Sequence, residues 1–290
     1  MSSMKIIKKR IYSVNNTKKI MKAMNLVAAS KLQKVKPRLN GIRSLYESIT
    51  EAMNHVRCRI DPEENVPFTE IREVKNIAYI VLTGDRGLCG GYNNNVSKEA
   101  LSCIESNKDT NEHIIAVGSK GADYFKRRNK NIILRTAGAT EATAYIDAEI
   151  IANRIVEMYN NNEVDEVYII YTQFESVLTH IPTVTRLLPI RPDSDTSPAD
   201  AWSASISMLY EPDALTFITH AVPMYLSTSI YGAMLESAVC EQAARMTNMD
   251  SATRNASEII DSLTLQFNRM RQSMITQEIT EIVSGANAIK

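Results

Sequence analysis

Sixteen positions between Met4 and Val56, stepped alternately three and four residues apart, form one continuous stripe. It begins Met4, Ile7, Ile11, Val14, Lys18, Met21, Asn25, Ala28, Leu32 and runs on through Tyr46 and Ile49, with only Lys18 and Asn25 polar. A repeat of about 3.5 residues is the seam of a supercoiling helix. Such a helix cannot bury its own stripe and needs a partner. The other end of the chain supplies one, a seam that passes through Tyr225, Leu235, Val239, Met249, Ala256, Leu263, Phe267 and Met274. No Gly or Pro interrupts the 52 residues from Ala233 to Ser284, roughly 78 Å of helix. Glu211-Pro212-Asp213 reads as the start, with Pro in the first turn and acids at the positive end of the dipole.

Two long helices at opposite ends of one chain pair as an antiparallel hairpin. If both begin level, the first is used up opposite about residue 264 of the second. Beyond that point Met270, Met274, Ile275, Ile279, Ile282, Val283, Ala286 and Ile289 would project unpaired. So much apolar surface on a lone helix calls for an external sleeve. Pro37 and Gly41 interrupt the first helix, and the lost backbone bond predicts a kink or local unwinding over Gln33–Gly41.

Between the helices the period changes. Apolar runs at 76–83, 113–118, 131–135, 166–171 and 185–190 read as strands, with helices from Lys120 and over Asp147–Asn160. This alternation predicts a parallel or mostly parallel α/β sheet, a Rossmann-like domain inserted between the coiled-coil helices. The organisation is therefore a coiled-coil helix over 1–60, an α/β domain over 61–210 and a second coiled-coil helix over 211–290. Joints fall at Asp61–Pro67 and Arg191–Ala201.

Net charge is zero, yet residues 1–46 hold twelve Lys or Arg and no Asp or Glu. Few aromatics interleave with that basic stretch, which disfavours nucleic acid and favours an acidic protein surface as its partner. No run of eighteen apolar residues exists to span a membrane, and Met1–Arg10 lacks the apolar core of a signal peptide. Cys58, Cys89, Cys103 and Cys240 have no CxxC spacing, and His55, His113, His180 and His220 are scattered. The expectation is free thiols in a reducing, bacterium-like cytosol, with no metal and no cofactor. The glycine-rich Gly84-Asp85-Arg86-Gly87-Leu88-Cys89-Gly90-Gly91 lacks both the Lys-Ser/Thr of a phosphate loop and the G-x-G-x-x-G spacing. It reads as a tight turn needing positive φ at several residues, with Asp85 and Arg86 presenting charge. No nucleophile elbow or paired-carboxylate motif is present, which favours a mechanical role. A basic coiled-coil adaptor and an α/β enzyme with helical extensions are the rival readings.

The segment Ile275-Thr276-Gln277-Glu278-Ile279-Thr280-Glu281-Ile282-Val283-Ser284-Gly285-Ala286 resembles the C-terminal hallmark of the gamma subunit of F-type ATP synthases. Asn16–Met24 with Val27–Lys31 is similar to that family's opening helix, Asp85–Gly91 to its central loop, and Glu241–Met246 to its mid-helix signature. The resemblance implies a non-catalytic rotor shaft that couples ion-driven rotation of a c-subunit ring to ATP synthesis or hydrolysis in a hexamer of three alpha and three beta subunits. It also implies contact with an epsilon subunit, a peripheral position at the cytoplasmic face of a bacterial plasma membrane, and membrane contact only through partners. By motif match, Lys22 and Met24 would face the acidic lever loop of beta, and Arg86 and Cys89 would lie in a loop approaching it. Arg245, Gln272, Thr276, Glu278 and Glu281 would make polar contacts with the surrounding crown, and Ile279, Ile282, Val283 and Ala286 would run in an apolar bearing. The Cys-bearing loop of chloroplast members has no counterpart in Arg191–Ala201, so thiol regulation of that kind is not expected.

Overall fold

The computed structural model describes residues 2–57, 68–70, 72–190 and 214–288. The joints and Glu211-Pro212-Asp213 lie outside the described residues, as do the side chains at 2, 3, 47, 50–57, 214, 215, 217, 218, 286 and 288. Helix α1 spans Ser2–Arg57 and helix α5 spans Ala214–Ala288. Between them come β1 (Asn76–Leu82), α2 (Tyr92–Ser106), β2 (Asn111–Val117), α3 (Ser119–Lys126), β3 (Ile132–Thr136), α4 (Tyr145–Asn160), β4 (Glu166–Phe174) and β5 (His180–Leu188). Grouped by packing, the chain forms two compact units, Met1–Ala29 with Arg245–Lys290, and Ser30–Ala244.

In the Ser30–Ala244 unit the sheet order is β3-β2-β1-β4-β5. The first four strands are parallel, and β5 pairs antiparallel to β4 as an edge strand. β1 reads Asn-Ile-Ala-Tyr-Ile-Val-Leu because it is central and covered on both faces, which removes the alternation of a half-exposed strand. One face, carrying Ile77, Tyr79, Val81, Ile114 and Ile170, packs on Val96, Ala100 and Ile104 of α2 and on Ala122 and Phe125 of α3. β5 starts five residues before the expected run and β4 extends to Phe174, closing a hairpin in which Phe174 pairs with His180. The polar turn-side residues Thr172, Gln173 and Thr183 hide this extension, and Pro182 is tolerated because an edge strand can spare a donor. Helix α2 was not foreseen, since Asn93-Asn94-Asn95 and Ser97 mask its buried face of Tyr92, Val96, Ala100 and Ile104.

Each unit contains one length of both long helices, antiparallel. In the Ser30–Ala244 unit Tyr46 stacks on Tyr225, with ring centroids 6.3 Å apart. In the other unit the Asn25 amide donates to the Met246 carbonyl at 2.8 Å, which satisfies one of the two polar seam positions. Every described seam position of both helices, Met4 to Ile49 and Ala221 to Met274, is buried or half-buried. The expected unwinding at Pro37 does not occur, because α1 is helical without interruption through Gln33–Gly41. Leu32, Val35 and Leu39 are buried on either side of an exposed Pro37, and that packing outweighs a penalty of about 3 kcal/mol.

Candidate functional site

The exposed end of α5 is the strongest candidate surface. Carrying the Asn25–Met246 register to the start of α1 sets Ser2 opposite roughly residue 269, a few residues beyond the expected 264. The shift follows from α1, whose 56 residues slightly outrun the level-start estimate. Phe267, Met270 and Met274 are still half-buried, whereas every described side chain from Ile275 to Asn287 is exposed. Ile275, Ile279, Ile282 and Val283 leave 48, 55, 71 and 53% of their surfaces open. Enclosing those four would contribute roughly 3–6 kcal/mol before association costs. Gln272, Thr276, Glu278 and Glu281 are exposed on the same stretch, with Glu281 accepting from Gln277 at 2.9 Å. Ala286 is helical, but its side chain lies outside the described residues. Arg245, by contrast, is buried.

The basic side chains of α1 divide into two populations. Lys5, Lys8, Lys9, Arg10, Lys18, Lys19 and Lys22 belong to the first unit, and none forms an ion pair among the described residues. Lys22 is exposed and Met24 half-buried. In the second unit four of the basic residues of α1, Lys31, Lys36, Arg38 and Arg43, are engaged. Lys31 pairs with Glu141 at 2.7 Å and Arg43 with Glu236 at 3.1 Å. Arg38 donates to the Glu141 and Thr143 carbonyls and to the Tyr231 hydroxyl, and Lys36 lies 5.9 Å from the centre of the Phe174 ring. Burial tends to raise the Glu141 carboxyl, but the Lys31 bond and the Lys31 and Lys34 charges outweigh it and hold the group below its ordinary value.

The β1–α2 loop is rigid for reasons only partly visible in its glycines. Positive φ occurs at Leu88 and Gly90 alone within it, fewer positions than expected. Asp85 does not present its charge outward. Its carboxylate accepts from the Ser119 backbone N–H and hydroxyl at 2.8 Å and from the Gly138 N–H at 3.0 Å. Burial opposes ionisation there, but these donors and the Arg135 charge win, so the carboxyl sits below its usual value. Asn93 locks the loop from within, accepting from the Gly84 N–H at 2.7 Å and donating to the Arg86 carbonyl at 3.2 Å. Arg86 is exposed, while Cys89 turns inward against Tyr92, Cys240 and Ala244.

In doubly wound sheets the ligand crevice opens at the carboxyl ends of the strands where the order reverses, here between β1 and β4. Helix α5 fills that place. A Cβ built on Gly84 would stand 2.8 Å from the Glu241 carboxylate, and Cys240 donates to the Thr172 carbonyl at 3.4 Å. The nucleotide position of a Rossmann-like sheet is thus taken by the helix, which disfavours the enzyme reading. Asn93 carries no signal in the sequence and Glu241 is marked only as the first residue of the mid-helix signature, because nothing local tells that Glu241 closes on Gly84, 157 positions away (241 − 84).

A family model described as ATP synthase matches residues 3–289. The ATP synthase gamma chain of Alkaliphilus metalliredigens is 41% identical over 288 residues, covering 99% of each chain. A sodium-ion-specific ATP synthase gamma chain from Acetobacterium woodii is 40% identical over 297 aligned positions, covering 98% of this chain and 97% of that one. A chain in the cryo-EM structure of the Euglena gracilis mitochondrial ATP synthase shares the fold, with a TM-score of 0.68 at 15% identity over 99% of this chain and 95% of that one. Matched along almost its whole length by the family model and by relatives near 40% identity, the chain belongs to the ATP synthase gamma chain family.

Proposed function

We propose that this chain is the central rotor shaft of an F-type ATP synthase, non-catalytic on its own, coupling ion-driven rotation of the c-ring to ATP synthesis and hydrolysis in the alpha/beta hexamer. The observation that carries the reading is the abrupt exposure of α5 from Ile275 onward, an apolar helix end that needs a collar. Ile279, Ile282, Val283 and Ala286 run in that collar, and Gln272, Thr276, Glu278 and Glu281 meet polar groups around it, whereas the buried Arg245 stays within the shaft. The unpaired basic residues of α1, Lys22 with Met24 among them, face acidic lever loops on the beta subunits. Arg86 approaches the same levers from the β1–α2 loop, and the buried Cys89 supports that loop rather than touching a partner.

One shaft inside a three-fold sleeve cannot touch three beta subunits alike. Each angular position therefore stabilises a different set of open and closed states, and rotation becomes a sequence of differential contacts. Torque enters through the Ser30–Ala244 unit, where Arg38, the Lys31–Glu141 pair and the close approach of Glu241 to Gly84 tie the helices to the α/β domain and the Arg43–Glu236 pair ties them to each other. Membrane contact is made through the c-ring and epsilon subunit, at the cytoplasmic face of a bacterial plasma membrane; among the described residues no helix is long and apolar enough to cross a membrane. Affinity purification of the tagged chain from its native membrane tests this. Three alpha and three beta subunits per copy, with epsilon and the c-ring, are expected. Recovery with nucleic acid, or without ATP-hydrolysing subunits, would refute it.

A further inference from the structure

We propose that the projecting end of α5 is one-sided: Ile275, Ile279, Ile282 and Val283 seat against the apolar wall of the alpha/beta collar, and the row across the helix from them faces a water-filled gap. That row is Ser273, Gln277, Thr280 and Ser284. The proposal rests on the rotor reading and deepens it, because a one-sided tip is keyed to angular position where a uniform bearing is not. Within a three-fold collar the apolar side seats on one alpha/beta pair at a time, and each step exchanges one such contact for the next.

Helix α5 is continuous from Ala214 to Ala288, so helical geometry sets where each side chain stands around its axis. At about 100° per residue, Ile275, Ile279, Ile282 and Val283 fall within an arc of roughly 100°. Ser273, Gln277, Thr280 and Ser284 fall within about 60°, centred roughly 140° away from that arc. All eight are exposed. The apolar arc is not a remnant of the seam that faces α1. The half-buried seam positions Phe267, Met270 and Met274 centre roughly 140° round the helix in the other direction, and their line runs on into Glu281 and Gly285. This end therefore carries an interface of its own, distinct from the one with α1. Thr276 and Glu278 border the arc on either side, where polar groups at the rim of the contact meet them. The opposite row lines a shallow groove along the helix. Its Gln277 donates to Glu281 at 2.9 Å and its Thr280 to the Thr276 carbonyl at 2.8 Å, while Ser273 and Ser284 have no partner among the described residues. Pressed on an apolar wall those hydroxyls would lose water and gain no bond, whereas a wet gap leaves them satisfied.

The test introduces one cysteine at a time and follows its modification by N-ethylmaleimide, read on the α5 peptide by mass spectrometry. The complex purified from its native membrane is compared with the full chain separated from it. In the separated chain Ile279→Cys, Val283→Cys, Thr280→Cys and Ser284→Cys should react alike, since all four positions are exposed. In the complex Ile279→Cys and Val283→Cys should slow at least tenfold, while Thr280→Cys and Ser284→Cys keep their rates within about threefold. As a second measurement, Thr280→Trp with Ser284→Trp should leave ATP hydrolysis by the complex within about twofold, because the gap has room for both rings. Equal protection of the two rows, or loss of hydrolysis in the tryptophan pair, would overturn the proposal and leave the collar standing. Equal openness of both rows in the complex would remove the collar and the proposal together.

Discussion

A methyl group added at Gly84 would land 2.8 Å from the Glu241 carboxylate, closer than real side chains approach. Gly84→Ala must therefore shift the loop or expel the carboxylate. A loss of roughly 1–3 kcal/mol is expected, measured as a lower denaturation midpoint of the full chain. Asp85 makes a second prediction with a definite sign. Its folded-state pKa is depressed, so its contribution is complete above the unfolded value and disappears as pH falls through the folded one. Asp85→Asn should accordingly flatten the acid limb of the stability–pH curve, and an unchanged limb would show that the Ser119 and Gly138 bonds do not favour the ionised form. Both residues were legible only in part. The glycine-rich loop announced a tight turn, but the partners that fix it come from residues 119, 138 and 241, which no local pattern connects.

Helix α1 shows where local rules lose to packing. Pro37 removes a backbone hydrogen bond, yet the helix runs through it because Leu32, Val35 and Leu39 are buried and Arg38 is held by three acceptors. Pro37→Ala should restore the missing bond and raise stability by about 1–3 kcal/mol, seen as an increase in Tm; a decrease would mean that the ring itself packs. The seams were legible at every described position, since a 3.5-residue period in two stripes leaves one partner for each. The buried central strands were legible for a similar reason. β5 and α2 were not, because an edge strand with Pro182 and a helix opening on three Asn residues both look like loop.

At the scale of the molecule, charge and apolar surface are segregated. The seven basic residues before Ala29 are unpaired among the described residues, while Lys31, Lys36, Arg38 and Arg43 are engaged by Glu141, Phe174, Tyr231 and Glu236. The charge asymmetry of the sequence thus divides into a structural half and a half left for a partner. Lys19→Glu with Lys22→Glu touches no internal ion pair and should change the stability of the chain by less than about 0.5 kcal/mol. ATP synthesis by membrane vesicles carrying it should fall severalfold, with the deficit growing at low ionic strength. Equal rates at all salt concentrations would remove the basic face from the account.

The most direct measurement of shaft function is rotation itself. A gold rod is coupled to a cysteine placed in the exposed turn after α2, Lys108→Cys, with Cys58 and Cys103 replaced by Ser, on a complex immobilised through its beta subunits. Added ATP should turn the rod in one direction with three pauses per revolution, and deletion of residues 275–290 should weaken that torque. A rod that stays fixed while the same complexes hydrolyse ATP at full rate would contradict the central claim.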